Sequence, residues 1–191
     1  MSDDNTSIDP ISPSLENASR RRLLRASLAG SVLAIAPLSR VWAASERSLA
    51  LLNQHTGERI SQPYWMAGNY LPESLSAINS VLRDHRSGEV YPIDPGLLDL
   101  LSALQQRLGS QGEYEVISGY RSPATNAKLQ MASSGVARRS LHMRGQAIDI
   151  RLPGTPLTTL HSAARELKAG GVGLYTGSNF IHVDPGSVRY W

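Results

Sequence analysis

Apolar side chains recur at helical spacing in three stretches of the chain. The stretch PESLSAINSVLRDHR has apolar residues three or four positions apart, which predicts an amphipathic helix. A second helix is predicted over DPGLLDLLSALQQRLG, because Asp94 is suited to cap its start ahead of Pro95 and Gly109 follows its last apolar position. A third helix is predicted over PLTTLHSAARELKAGG, with the glycines ending it.

Shorter apolar stretches predict strands. SLALLNQHTGERI predicts a strand that runs into a turn, YEVISGY a buried strand, and NFIHVD a last strand. In AIDIRL, the side chains of Ile148, Ile150 and Leu152 share one face of a strand. Strands and helices mix without a regular βαβ repeat, so we predict one α+β domain over residues 44–191, with a mostly antiparallel central sheet and flanking helices.

The first 43 residues predict an export signal. The segment SRRRLLR, residues 19–25, resembles the twin-arginine export motif. The apolar run that follows is about 13 residues long, shorter than the roughly 20 residues that a membrane-spanning helix needs. Small residues around Ala43 place the cleavage site after it, and we expect export to the periplasm by the twin-arginine route. The alternatives are an uncut membrane anchor and a basic nucleic-acid-binding arm.

Composition narrows the chemistry of the remaining chain. Without residues 1–43 it has 14 basic and 12 acidic side chains, a net charge of +2, which argues against a nucleic-acid partner. It has no second apolar run of about 20 residues, so we expect no stable membrane span once the signal is removed. There is no cysteine, so a metal ion would have to be held by imidazole and carboxylate groups. Composition leaves the oligomeric state open.

Two of the predicted strands are mainly apolar but contain ionisable residues. In HMRGQAIDI, alternation directs Asp149 away from the apolar face, and Gly145 allows the chain to turn so that His142 returns over the strand. In FIHVD, His182 and Asp184 share one strand face. Two histidines and one aspartate match a catalytic zinc site with a fourth position for water. On spacing alone, ordinary polar residues at strand ends remain the alternative.

The motif around these residues resembles a known family. Residues 140–149 fill the pattern SxHxxGxAxD, which resembles the zinc motif of the M15 and LAS peptidases, D-alanyl-D-alanine peptidases related in fold to the hedgehog domain. SGYRS, residues 118–122, is similar to the segment with their active-site arginine, and GGVGLYTGSNFIHVD is similar to their last strand. The resemblance covers nearly all of residues 48–191 and is nearest to the exported murein endopeptidases of the K type.

This resemblance implies the roles of particular residues. It implies a Zn²⁺ ion bound by His142, Asp149 and His182, and a catalytic Arg121 that faces the substrate. A guanidinium there hydrogen-bonds developing negative charge or a carboxylate of the substrate. Further contacts to the substrate are expected from Ser140 and from the basic pair Arg138 and Arg139, which would bind acidic groups of the stem peptide; a solvated basic pair is the alternative.

The general base departs from the family pattern. Members with a carboxylate three positions before the last histidine would have one at 179, where this chain has Asn179. Asp184 is the nearest alternative, either as the base or as a residue that orients a ligand imidazole. The resemblance implies a zinc-dependent murein endopeptidase that hydrolyses the peptide cross-links between peptidoglycan stem peptides. The alternatives are a D,D-carboxypeptidase of the same family and a non-catalytic, zinc-containing peptidoglycan-binding module.

Overall fold

The computed structural model describes residues 46–133 and 135–191. The predicted signal peptide, residues 1–43, therefore lies outside the described residues. No helix in the described part of the chain is both long enough and apolar enough to cross a membrane.

Eight strands of residues 46–133 and 135–191 form one sheet in the order β3-β2-β1-β4-β5-β7-β6-β8. Two neighbouring pairs, β1 with β4 and β6 with β8, are parallel, and the other five pairs are antiparallel. The α+β class and the mostly antiparallel sheet are thereby confirmed. The strand bounds are β1 Glu46–Asn53, β2 Arg59–Met66, β3 Asn69–Tyr70, β4 Tyr114–Ser118, β5 Ile148–Arg151, β6 Gly171–Tyr175, β7 Phe180–Asp184 and β8 Arg189–Tyr190.

In the described residues, four α-helices accompany the sheet: α1 Pro72–Val81, α2 Pro95–Leu108, α3 Pro123–Ala132 and α4 Leu157–Leu167. Helix α2 begins and ends as predicted, because the Asp94 side chain accepts from the Gly96 N–H and Gly109 takes the left-handed conformation. The predicted end of α4 was wrong. Lys168 takes the left-handed conformation at its end, and Gly171 already belongs to β6.

The hydrophobic core lies on one face of the sheet, where α2 and α4 pack together and α2 packs against β1. Ile148 and Ile150 of β5 and Ile181 and Val183 of β7 are completely buried in it. Each such side chain contributes about 1.5–3 kcal/mol by leaving water. Because strand side chains alternate, the residues between these apolar positions point to the other face, where the polar residues of β5 and β7 lie.

Candidate metal centre

The register of the sheet brings polar residues of three strands into one row. Ser118 of β4 pairs with Asp149 of β5, and Asp149 pairs with His182 of β7. Directly paired residues on neighbouring strands point to the same side of a sheet, with their Cβ atoms about 4.5–5.5 Å apart. Asp149 and His182 therefore lie side by side, on the face that alternation predicts for them.

His142 reaches this row from a short 3₁₀-helix, Leu141–Arg144, ahead of β5. The helix ends at Gly145 with φ +64°, and a Cβ at this position would lie 2.1 Å from the Pro92 carbonyl oxygen. Only glycine combines this conformation with so close an approach. The His142 Nδ1 lies 2.8 Å from the Gly119 carbonyl oxygen, which directs Nε2 toward Asp149.

The three side chains converge on one point. The Asp149 Oδ1 lies 2.9 Å from the His182 Nδ1 and 3.4 Å from the His142 Nε2. The two histidine nitrogens are 3.2 Å apart. One ligand atom from each residue lies within 4.8 Å of the others, and all three residues are buried. Sequence reasoning predicted this convergence, and the geometry brings the residues together.

The chemistry of these donor atoms fits a divalent cation. A carbonyl accepts the Nδ1–H of His142, and the Asp184 carboxylate accepts the Nε2–H of His182 at 3.0 Å. These outer partners assign the tautomers, so the inner nitrogen of each ring presents a lone pair. Two lone pairs and a carboxylate oxygen then face one another with no hydrogen to share. A cation between them relieves this repulsion, and two imidazoles with one carboxylate are a ligand set that Zn²⁺ takes.

When no metal ion is bound, a proton takes its place among these side chains, and the pKa shifts of the cluster reflect that state. Burial raises the pKa of Asp149, but charge interactions and hydrogen bonds with His142 and His182 outweigh it and hold that pKa below its usual range. Burial lowers the pKa of His182, but hydrogen bonds to Asp149 and Asp184 outweigh it and leave that pKa raised. The lowered pKa keeps Asp149 ionised and the raised pKa favours a protonated His182, so the cluster holds an anionic carboxylate beside a positive charge.

Asp184 is completely buried behind His182. Its Oδ1 accepts from the backbone N–H of Gly171 at 3.3 Å and of Gly186 at 2.9 Å, and both of its oxygens accept from Arg189. Burial raises the pKa of Asp184, but its hydrogen bonds with His182, Gly186 and Arg189 outweigh it and bring the pKa to about 2. A carboxylate so fully engaged, on the outer nitrogen of His182, is placed to orient that ring. The geometry favours this alternative over the general base.

Arg121 lies at the edge of the cluster with 13% of its side chain exposed, and its Nη2 is 4.0 Å from the Asp149 Oδ2. Its guanidinium donates to the Asn126 Oδ1 at 3.3 Å and to the Ser118 Oγ at 3.4 Å. The Nε is buried without a partner among the described residues. Burial lowers the pKa of Arg121, and the charge of Asp149 opposes that shift. Asn126, which sequence reasoning missed, helps to hold the predicted arginine beside the cluster.

An open cleft of about 320 Å³ lies over these residues. Ser140 and Arg121, both predicted to face the substrate, line it, but Arg138 does not; it is exposed and lines a separate depression. The neighbouring Arg139 lines the cleft instead. Asn179 is exposed and lines another depression, so the position at which some family members carry a carboxylate does not reach this cleft.

Aromatic side chains form one wall of the cleft. Tyr175 and Phe180 stack with their ring centroids 4.7 Å apart, and the Trp191 Nε1 donates to the Tyr175 hydroxyl at 2.8 Å. Sequence reasoning missed this wall. The sequence features that could have indicated the wall are the aromatic residues of RYW, residues 189–191, and the glycines of GVG in β6. They indicate it only if β6 is known to pair with β8.

Comparison with known proteins assigns the chain to a family. The M15 peptidase family described as "Peptidoglycan L,D-endopeptidase MepK" matches residues 41–191. The chain belongs to this family. It is therefore a peptidase, and the SxHxxGxAxD motif of residues 140–149 lies within the matched range.

Individual M15 relatives agree over nearly the whole chain. The peptidoglycan L,D-endopeptidase MepK of Escherichia coli K12 is 40% identical over 178 residues, which is 92% of this chain and 98% of that protein. The probable peptidoglycan L,D-endopeptidase MepK of Haemophilus influenzae is 43% identical over 162 residues, 84% of this chain and 87% of that protein. Among solved structures, the Serratia marcescens L-Ala D-Glu endopeptidase ChiX matches with 19% identity and a TM-score of 0.34, over 50% of this chain and 68% of that one.

Proposed function

We propose that the protein is a zinc-dependent murein endopeptidase that hydrolyses peptide cross-links between peptidoglycan stem peptides. The observation that carries this proposal is the buried set of His142, Asp149 and His182, with one ligand atom of each within 4.8 Å of the others below an open cleft. The names of the relatives support an internal bond between an L- and a D-configured residue. The D,D-carboxypeptidase and the non-catalytic binding module are the competing functions.

The three ligand residues define what a bound metal contributes. Bound Zn²⁺ polarises a peptide carbonyl and lowers the pKa of a coordinated water molecule to about 7. The chain contributes the His142 Nε2, the His182 Nδ1 and Asp149 to hold the ion. Among the described residues that line the cleft, Asp149 is the one carboxylate, so the three protein ligands would leave a coordination position of a bound zinc ion for solvent.

Arg121, Arg139 and Arg189 are the basic residues that line the cleft. Arg121 is held in place by Ser118 and Asn126, so its guanidinium is preorganised beside the carboxylate of Asp149. We assign it the stabilisation of negative charge that develops on the carbonyl oxygen of the scissile bond. We assign to Arg139 the binding of a carboxylate of the stem peptide, the role predicted for the pair Arg138 and Arg139, and its position in the lining of the cleft supports this. Ser140 lines the same cleft with its hydroxyl.

The location of the substrate fits the predicted export signal. Peptidoglycan lies outside the inner membrane, and we propose that residues 1–43 direct the chain to the periplasm by the twin-arginine route. This route is supported by the motif SRRRLLR followed by a short apolar run.

The test is cleavage of defined muropeptides by the purified protein. Cross-linked dimers with an L,D bond and dimers with a D,D bond are incubated with the protein as purified, after removal of metal by a chelator, and after zinc is restored. Mass spectrometry identifies each product. We expect cleavage of the L,D cross-link that stops with the chelator and returns with zinc.

The other outcomes identify the competing functions. Release of a terminal D-alanine without cleavage of cross-links means a D,D-carboxypeptidase. Retention on murein without any product means a binding module. Cleavage that persists after the metal has been removed, as measured by elemental analysis, contradicts the zinc-dependent mechanism.

A further inference from the structure

Strand β6 carries two glycines on the face of the metal centre. Gly173 pairs with His182, and Gly171 pairs with Asp184 across the β6–β7 ladder. On the other side of β6, Gly171 pairs with Arg189 of β8. Asp184, Gly171 and Arg189 therefore form a second row across the sheet, in which the central residue has no side chain.

The missing side chain lets the outer residues of this row meet. A Cβ at position 171 would lie 2.4 Å from the Asp184 Oδ2 and 2.7 Å from the Arg189 Nη1. Any larger residue would thus occupy the space through which the guanidinium reaches the carboxylate. The conformation of Gly171 requires no glycine, since its φ is not in the left-handed region, so the close approach of these side chains is what requires one.

Arg189 reaches across this gap with two hydrogen bonds. Its Nη2 lies 2.7 Å from the Asp184 Oδ2, and its Nη1 lies 3.1 Å from the Asp184 Oδ1. The carboxylate is completely buried, whereas the side chain of Arg189 is 44% exposed. A buried carboxylate is costly unless it is paired, and the planar fork of arginine fixes the plane of the carboxylate as well as neutralising it.

The oriented carboxylate in turn sets the angle of a ring in the metal centre. The Asp184 Oδ2 lies 3.0 Å from the His182 Nε2, and the opposite nitrogen of that ring faces Asp149 and His142. Trp191, which follows β8, covers the same ring with the ring centroids 5.3 Å apart. The end of the chain thus contacts His182 through Asp184 and through Trp191.

We propose that Arg189 is a positioning residue for the metal centre: it fixes Asp184, which holds His182 with Nδ1 directed at the metal ion. The inference rests on the proposed zinc site and adds a residue, from a separate strand, that determines its affinity. It acts through the chain Arg189–Asp184–His182 and makes no contact with the metal.

A merely structural role for Arg189 would be to fasten β8 to the sheet. Arg165 supplies a matched control, because its guanidinium lies 4.5 Å above the ring of Tyr190, and its carbonyl accepts from the Tyr190 hydroxyl at 3.1 Å. Arg165→Ala removes a cation–π contact to the same strand and leaves the Arg189–Asp184 pair in place.

The experiment measures zinc affinity by competition with a chromophoric chelator for the full mature chain and for Arg189→Ala, Arg189→Lys and Arg165→Ala. We expect Arg189→Ala to weaken zinc binding about tenfold or more, as loss of outer-shell partners does in metal sites. Arg189→Lys should recover part of this loss, because lysine restores the charge without the fork. Arg165→Ala should bind zinc as the unsubstituted chain does.

A second readout reports the geometry directly. With Co²⁺ in place of zinc, the visible absorption spectrum responds to ligand orientation, and we expect it to change in Arg189→Ala but not in Arg165→Ala. Equal zinc affinity and an unchanged spectrum in Arg189→Ala would overturn the inference while leaving the zinc site intact. Absence of zinc binding in the unsubstituted chain would instead overturn the proposed function. If Arg189→Ala does not fold, Arg189→Gln is judged by the same two outcomes.

Discussion

The rings of His142 and His182 lie 5.0 Å apart at an interplanar angle of 65°, and those of His55 and His85 lie 3.8 Å apart at 13°. The second pair is closer, yet it is the first pair that is arranged to hold a metal ion. Lone pairs of imidazole lie in the plane of the ring, so two stacked rings direct them along parallel planes. The tilted pair can direct two lone pairs at one point.

The surroundings of the two histidine pairs also differ, because in the described part of the chain only the buried pair has a carboxylate directed at both rings. Asp149 lies within 3.4 Å of both rings of the buried pair. Next to the stacked pair, Asp84 turns its carboxylate to the backbone N–H groups of Ser122 and Arg86, each at 2.9 Å. The stacked pair thus lacks a third ligand among the described residues. Proximity of histidines is a weak indicator of a metal site, and the direction of the ring nitrogens is a strong one.

Removal of one ring from each histidine pair should give the largest difference in zinc binding and activity. His142→Ala removes one of three ligands, and we expect bound zinc and cleavage of muropeptides to fall to the level of a protein-free control. His85→Ala removes a ring of the stacked pair and should leave zinc content and activity unchanged. Elemental analysis and the muropeptide assay measure both. Loss of zinc in His85→Ala would mean that the stacked pair has a metal-binding role.

The second prediction concerns Asp184, which accepts a hydrogen bond from His182 of the buried pair. Asp184→Asn keeps the shape of the side chain but can present an N–H to His182 in place of an acceptor. We expect zinc affinity to fall by about 10–100-fold and activity to recover when zinc is raised. If Asp184 were instead the general base, zinc would remain bound with its original affinity and turnover would be lost. Titration of zinc against activity separates the two.

The third prediction concerns the packing of Trp191 against Gly173, beside His182. Gly173→Ala places a Cβ 2.6 Å from Trp191, which must move away from His182. We expect the free energy of unfolding to fall by about 1–3 kcal/mol, the usual cost of overpacking, with a change in tryptophan fluorescence. Gly177→Ala is the control, because no atom lies within 4 Å of its Cβ position. Equal unfolding free energies for the two variants would show that Trp191 does not depend on Gly173.

Local sequence patterns predicted the parts of the molecule that depend on near neighbours. Helix α2 has a strong apolar period and both of its caps, so its bounds followed from the sequence. Alternation in β5 and β7 placed Asp149 and His182 on the face away from the core. That His142 lies in the same site as Asp149 and His182 could be predicted only from the resemblance of the motif to the family. The spacing of the three residues along the sequence does not indicate which strands pair.

The parts that escaped prediction depend on distant segments. Strand β8 has two residues, too few to show a period, and its pairing with β6 brings Arg189 and Trp191 to the site. Helix α3 lacks a continuous apolar stripe and was not predicted. Arg138 and Arg139 lie in a turn, where no periodicity indicates which of the two faces the cleft.

The last prediction concerns the protonation of His85 in the stacked pair and its effect on the free energy of unfolding. Burial, together with the positive charges of Arg86 and His55, lowers the pKa of His85 to about 4, from about 6.5 in an unfolded chain. Between these pH values the unfolded chain binds a proton at His85 that the folded chain does not. Unfolding should therefore become easier as the pH falls from about 6.5 to about 4.

His85→Gln removes this proton and should flatten the pH dependence of the unfolding free energy over that interval. The ring is partly exposed, so we expect a difference of at most about 1 kcal/mol once solvent screening is allowed for. Urea unfolding of the metal-free protein at pH 4.5 and pH 7 measures it, because groups in the metal centre titrate equally in both proteins and cancel. Identical slopes in the two proteins would mean that His85 binds its proton equally well in the folded and the unfolded chain, which contradicts the lowered pKa.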